Sequence, residues 1–467
     1  MRSLRLLALL APVLLSPLAC EDSSSSSGGT FNPEAGPGFE AGPLPDAAPL
    51  DAGLDAIAPA TGVNVTVVKG TAPQKDVRVI LHDSSGAVIG DVKTDAAGKV
   101  VIATAPSMVT VLGTRLISDA ILPQLVPTTF QGVTDGDNLL VDISDVSSGV
   151  TPAGEYSVSF AAPFGGTTVD YLASVGNCVS TTTQPATPLL LPVDASCVSA
   201  QNSVLASARD ANQIDLAFGF AKNLAKPGAT PLAVGPLSFT ARGLTKVTAA
   251  NIPVGGSRYG ELLAISNGAS FFSTITGGAL DAGDLTFATA TGFAEAYQAS
   301  VTTQVFTTGT NRRTLIRREA TTAPASATLA FDFASALPSI TNVVVDRMNV
   351  ARPKVTLSSS APFASADGAV VALGWFPSDG PDARWTFIVP PTTTTITVPA
   401  LPADASAYTP NGTSNVPELA FVESSLLPGY AELKKLPISA GELNLADTSM
   451  PLPLAGTVRI THWDPID

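Results

Sequence analysis

The chain of 467 residues carries 39 acidic side chains against 25 basic ones, a net charge of −14; this excludes a nucleic-acid binder, because phosphate contacts need a clustered positive surface. Its 39 glycines and 38 prolines exclude a mainly helical fold, since helix interiors tolerate neither. Only 14% of residues are charged while 45% are hydrophobic, which excludes wholesale disorder and supplies several cores, three or four domains at about 100–200 residues each.

Arg2 and Arg5 precede an apolar run over 6–15 and then Ser16-Pro17-Leu18-Ala19-Cys20. These are the charged region, hydrophobic region and small-residue cleavage site of an export signal, too short to span a bilayer and broken by Pro12. After Cys20 the chain turns polar and serine-rich, where an ordinary secreted protein would begin its mature fold. Through these residues the N-terminus resembles bacterial lipoproteins, although Pro17 and Leu18 stand where that signal usually has leucine and a small residue. The resemblance implies that 1–19 is a signal peptide removed in the mature protein. It implies further that the Cys20 thiol receives a diacylglycerol and the freed amino group an acyl chain. The expected location is then the envelope of a Gram-negative bacterium, as an outer-membrane lipoprotein facing the periplasm or the cell surface. The membrane is thus a partner through the lipid anchor, and at about 0.8 kcal/mol per buried methylene two or three chains hold stably. Residues 20–61 are Ser, Gly, Pro, Ala and Asp with Phe31 and Phe39 as the aromatics, too little apolar surface to offset ordering entropy. They read as a disordered, semi-stiff tether.

From Val63 the pattern alternates with period two: 63, 65 and 67, then Val77, Val79 and Leu81 against Arg78, Ile80 and His82. That alternation places His82 on the solvent face of its strand. Asp-Ser-Ser-Gly at 83–86 and Asp-Ala-Ala-Gly at 95–98 read as turns, closing short strands over 87–93, 99–103 and 108–112. Lys75-Asp-Val-Arg-Val-Ile-Leu, Ser85-Gly86-Ala-Val-Ile-Gly and Thr94-Asp95-Ala-Ala-Gly98-Lys make 62–144 similar to the carboxypeptidase regulatory-like, or transthyretin-like, β-sandwich module. The resemblance implies an accessory fold from which no functional residue carries over.

Beyond 149 the same grammar predicts strands over 156–161, 237–241, 301–307, 314–318 and 329–333, with breaks near 226–231 and 337–338; 212–225 is open to a short helix. No repeat period is present, which disfavours a solenoid or propeller. The expected fold is all-β: tandem Ig-like or transthyretin-like sandwiches over 62–145, 146–236 (with a disulfide), 237–336 and 337–467.

With Cys20 assigned to the lipid, Cys178 and Cys197 remain, a pair that an oxidising compartment joins as a disulfide. Two histidines, His82 and His462, fall in different expected domains, too few imidazoles for zinc. No Gly-x-Ser-x-Gly elbow occurs; Gly255-Gly-Ser257-Arg-Tyr259 lacks its last glycine, and His462 reads as a terminal surface residue. No catalytic residue and no cofactor is therefore expected. Asp135 and Asp137, in Asp-Gly-Asp-Asn, offer oxygens to calcium but lack the further carboxylates of an EF-type loop, which favours an ordinary turn. Arg312, Arg313, Arg317 and Arg318 are either contacts for headgroups or an anionic glycan, or solvated positions on a hairpin strand. Trp375 and Trp385 flank a turn at 377–381 and invite a sugar-stacking platform. Parity decides for the core, grouping Trp375 with Val371 and Leu373, and Trp385 with Phe387 and Val389. The functional expectation is a non-enzymatic surface-anchored lipoprotein for adhesion, envelope structure or ligand presentation, with a glycan or protein as partner. The alternative is a carbohydrate-binding or carbohydrate-processing surface lipoprotein with paired carboxylates in a cleft.

Overall fold

A computed structural model describes residues 62–116, 123–145, 151–165, 167–183, 186–253, 257–272, 275–277, 284–307, 311–321, 328–377, 383–436, 438–439 and 456–465. Cys20 and the signal and tether expected over 1–61 lie outside them. The protein is all-β, in several sheets, and among the described residues the helical segments are short turns between strands.

The turns at 83–86 and 95–98 form as their residues dictate. Asp83 Oδ1 accepts from the amides of Ser85 (2.8 Å) and Ala87 (3.0 Å), and Asp95 Oδ1 from those of Ala97 (2.8 Å) and Lys99 (2.9 Å). Gly98 has φ +69°, and a Cβ there would stand 2.5 Å from the Val67 carbonyl oxygen, so this turn admits only glycine.

One sheet of twelve strands runs through much of the chain. Its order is Ala269–Phe272, Ser257–Ser266, Ala296–Thr307, Asn311–Thr321, Gly456–Pro465, Asn415–Ser424, Gly368–Trp375, Ala383–Val389, Gln124–Gln131, Met108–Arg115, Arg78–His82 and Val88–Lys93. Pairing therefore crosses the segment limits expected at 145 and 336. Ala383–Val389 lies parallel to Gln124–Gln131, and Gly456–Pro465 pairs with Asn311–Thr321. Strand Ile438–Ser439 also joins Asn138–Asp142 in the sheet that contains Val63–Lys69. A third limit, at 236, falls inside strand Leu232–Leu237.

The central strands of the long sheet bury both faces. On one face Val370, Ile388, Ala420, Val422, Val458 and Ile460 share a core with Val63, Val65, Val67, Val79, Val109, Phe130 and Val141. On the other, Val371, Leu373, Trp375, Trp385, Phe387, Leu419 and Phe421 pack on Val355, Leu357 and Ile396 of the three-stranded sheet Ile340–Asp346, Lys354–Ser359 and Thr395–Thr397. Two-sided burial explains why 369–373 and 385–389 read as near-continuous apolar runs.

Residues 152–241 form a separate sandwich. Its five-stranded sheet runs Cys178–Thr182, Asp170–Val175, Gln201–Arg209, Asp215–Ala225 and Thr240–Ala241; the facing sheet runs Leu189–Asp194, Pro152–Phe160 and Leu232–Leu237. Tyr156, Val158, Ala173, Val175, Leu191, Val204, Ala206 and Val234 fill the space between. The short helix admitted for 212–225 is corrected to a strand. Leu216 and Phe220 recur at helical spacing as readily as at strand spacing, and long pairing with Gln201–Arg209 decides for the strand.

The core reading of the tryptophans holds: Trp375 is 2% exposed and Trp385 is fully buried, stacked on Phe387 at 5.5 Å. Trp385 Nε1 donates to Thr129 Oγ1 at 2.8 Å. Truncation of either ring to alanine is expected to cost about 3–5 kcal/mol. Denaturant midpoints of Trp375→Ala and Trp385→Ala check this, and near-native stability of both would return the rings to the solvent.

Candidate functional site

The faces of the 170–225 sheet differ in kind. Even positions on Asp170–Val175 and odd positions on Gln201–Arg209 point away from the sandwich core, so Leu172 and Ser174 stand beside Ser207 and Leu205 in register. With Phe218, Val179, Asn177, Arg209 and Asp215 they line a largely apolar cavity of about 330 Å³. This is within the ordinary size of a small-molecule site. Leu205 and Phe218, both nearly fully buried, continue into the core built by Leu262, Phe271, Phe287 and Phe293.

Its polar groups are held by cross-strand bonds. Arg209 Nε and Nη2 donate to the two carboxylate oxygens of Asp170, each at 2.9 Å, and Gln213 Nε2 adds a third bond at 3.1 Å. Asp215 is 4% exposed, and its backbone carbonyl accepts from Arg242 Nη1 at 2.6 Å.

One wall is the hairpin loop of Gly176 and Asn177, between paired Val175 and Cys178. Gly176 has φ +53°, the left-handed value that a two-residue hairpin loop with glycine first requires. The strand leaving the loop is pinned by the disulfide Cys178–Cys197, the pair read from the sequence. Asp194 shapes the other end of that bridge, its Oδ1 accepting from the amides of Ser196 (2.8 Å) and Cys197 (3.1 Å). Cys178, Asp194 and Cys197 are close enough together to suggest a metal, but sulfurs joined to one another offer no thiolate.

The other expected residues fall elsewhere. His82 is corrected: it is fully buried. Both faces of its strand are covered, the outer one by residues far along the chain. Ala405 packs on Ile80 and Leu112, the Ala400 amide donates to the Gly86 carbonyl at 2.8 Å, and Arg352 Nη2 donates to the Ser85 carbonyl at 2.8 Å. His82 Nε2 lies 2.9 Å from Thr110 Oγ1, which lies 2.8 Å from Thr129 Oγ1, the acceptor for Trp385. Because an indole N–H can only donate, this buried chain is satisfied when each threonine hydroxyl donates onward and Nε2 accepts, which requires a neutral ring.

His462 is likewise no loose terminal residue. It sits on Gly456–Pro465, paired on both sides, with Nε2 at 3.5 Å from Glu418 Oε1. Burial pushes the Glu418 carboxyl up, but His462 and Arg384 outweigh it and hold the group below its usual range. Asp135 and Asp137 lie in a turn, with the Asp137 amide donating to the Thr134 carbonyl at 3.1 Å. Asp135 Oδ1 accepts from the Ala105 amide at 2.9 Å, while Asp137 is buried against Lys434. A calcium ion on Asp137 would have to displace that ammonium. Arg312, Arg313, Arg317 and Arg318 lie on the second strand of the hairpin formed by Ala296–Thr307 and Asn311–Thr321. Trp375 and Trp385, being buried, present no ring face to a sugar. Sequence reasoning missed the cavity and its Arg209–Asp170 pair, whose partners are 39 residues apart with no local pattern to link them.

No protein family matches the chain, and no curated protein does. Among solved structures, the TIE protein of Bacillus anthracis is similar at 8% identity and a TM-score of 0.13, covering 58% of this chain and 50% of that one. The FN1–FN3 domains of chicken CNTN1 are similar at 10% identity and a TM-score of 0.12, covering 59% and 92%. Both are weak likenesses.

Burial first, and the Arg352 charge second, push His82 down to about 4 from an ordinary value near 6.5. A depressed folded-state value means stability that is full above about pH 6.5 and is lost as pH falls toward 4, by about 3 kcal/mol in all. Denaturant midpoints measured across that window should show the slope in the native protein and a flatter one in His82→Gln. Equal slopes would overturn the assignment.

Proposed function

We propose that the protein is a non-enzymatic, lipid-anchored envelope protein that presents a ligand-binding cavity. The observation that carries this reading is the largely apolar cavity on the 170–225 sheet, one wall of which is fixed by a disulfide. Structural disulfides are common in oxidising compartments and rare in reducing ones, which supports export. A largely pre-formed apolar site with a few polar groups supports capture of a small apolar or amphipathic molecule. Cys20, through its likeness to a lipidated cysteine, provides the attachment, and 20–61 the tether. No chemical step on the ligand is required.

An anilinonaphthalene sulfonate dye tests the cavity. It should bind one saturable site, and Val179→Arg, a change at a cavity residue that is 57% exposed, should weaken it at least about tenfold, or 1.4 kcal/mol. Because the side chain is exposed, the melting temperature should not move. Unchanged affinity in that variant would move the site elsewhere. For the anchor, Cys20→Ala should transfer the protein from the membrane fraction to the soluble one. A variant that still sediments with membranes after a salt wash would reject the lipoprotein reading.

A further inference from the structure

Lys434 and Asp137 are an ion pair where ion pairs are disfavoured. Their side chains are 3% and 5% exposed, and 297 residues separate them along the chain. Lys434 follows the helical turn Tyr430–Leu433; Asp137 immediately precedes strand Asn138–Asp142. The surroundings are apolar: Leu433 is fully buried, Leu139 is 1% exposed, Val133 is 7% exposed, and the Tyr430 ring faces the amine with its centroid 4.7 Å from Nζ. That ring is fixed, since its hydroxyl donates to the carbonyls of Gln131 (2.6 Å) and Ile388 (2.8 Å). Backbone bonds hold both partners. The Leu140 amide donates to the Lys434 carbonyl at 3.2 Å, and the Asn64 amide to the Asp137 carbonyl at 2.9 Å.

We propose that Lys434 and Asp137 condense to an isopeptide bond, a side-chain amide that cross-links the mature protein. Taking two charges out of water is costly, and their mutual attraction seldom returns all of it. A neutral amide in the same place abolishes both charges. The step balances without a co-reactant. A proton passes from the ammonium to the carboxylate, leaving a free amine and a neutral acid. The Nζ lone pair then attacks Cγ. One carbon–oxygen bond breaks, and that oxygen leaves as water, carrying the acid proton and one proton from the nitrogen. The Thr134 amide donates to Asp137 Oδ2 at 2.7 Å, where it stabilises charge developing on the oxygen that is retained. Holding amine and acid together replaces a bimolecular encounter, an advantage equivalent to about 10⁵–10⁸ M in well-oriented systems. Exclusion of bulk water keeps the reverse hydrolysis slow.

The bond would lock the 430–436 segment onto the sheet that contains Val63–Lys69, beside the parallel pairing of Ile438–Ser439 with Asn138–Asp142. Tension applied to the folded part would then be carried between residues 137 and 434 by a covalent link in addition to strand pairing.

Peptide mapping of the full native chain by tandem mass spectrometry decides the matter. The expected product is one branched peptide joining Asp137 to Lys434, lighter than the two separate peptides by one water, with tryptic cleavage blocked after Lys434. Intact mass alone does not discriminate, because Asp135-Gly136 can also lose water by cyclising, and this is why the branched peptide is the readout. Asp137→Asn should still form the cross-link, with ammonia leaving in place of water, while Lys434→Arg should abolish it. Recovery of the two segments as separate peptides, with cleavage after Lys434, from folded native protein would overturn the proposal.

Discussion

The structure depends on one parallel strand pair. Where Ala383–Val389 meets Gln124–Gln131, the strands of the C-terminal segment join those of the first sandwich. Without that junction the twelve-stranded sheet would be two sheets, each with an open edge. The pair is placed by burial on both faces. A shift of one residue would carry Trp385 and Phe387 into the core that now receives Ile388, and Ile388 into the one that receives the rings. The bond from Trp385 Nε1 to Thr129 Oγ1 adds a directional constraint, and through Thr110 that constraint reaches His82. Packing and hydrogen bonding thus select the same register.

Charge is sparse in this chain, and several charges that enter the sheets are matched across strands. Arg209 meets Asp170, Arg384 and His462 meet Glu418, and Arg459 meets Glu423. Arg209–Asp170, His462–Glu418 and Arg459–Glu423 join neighbouring strands, and Arg384 reaches Glu418 across the strand Gly368–Trp375 between them; opposite charges so placed favour one register and like charges would oppose it. These pairs lie on half-buried faces, so some water remains to solvate them. Lys434 and Asp137 differ in being shut away among aliphatic side chains. That difference in surroundings separates a pair suited to specify register from one suited to react.

Alternation and turn chemistry were enough to find the strands between Val63 and Leu112, both Asp/Gly turns, and the face on which Trp375 and Trp385 lie, but not strands such as Asp170–Val175, Gln201–Arg209 or Lys354–Ser359. The disulfide was legible because, once Cys20 is assigned to the expected lipid signal, the two remaining cysteines leave a single pairing. What failed was long-range. Parity correctly assigned His82 and Ile80 to the face opposite Val79, but nothing local showed that residues 352 and 398–408 return to cover it. Asp137 read as an ordinary turn residue because its partner lies nearly three hundred positions away. The segment 215–225 carried both periodicities at once, and only its neighbour strand resolved them. The pairings that cross 145 and 336 were illegible for a related reason: Pro- and Gly-rich breaks mark where the chain turns, and they say nothing about which strand will lie alongside.

The junction at 124–131 also orders the birth of the molecule. The chain is made N-terminus first, and Thr129 waits 256 residues for Trp385. At about 5–20 residues per second, that delay is on the order of 10–50 s. Throughout it the strand Gln124–Gln131, with its one earlier neighbour Met108–Arg115 already synthesised, lacks its partner on the other side and presents a bare edge of amides and carbonyls able to pair with another chain. Non-local pairing of this kind is intrinsically slow. A chain of this topology gains from being kept extended until its C-terminal third exists, then folding as a whole.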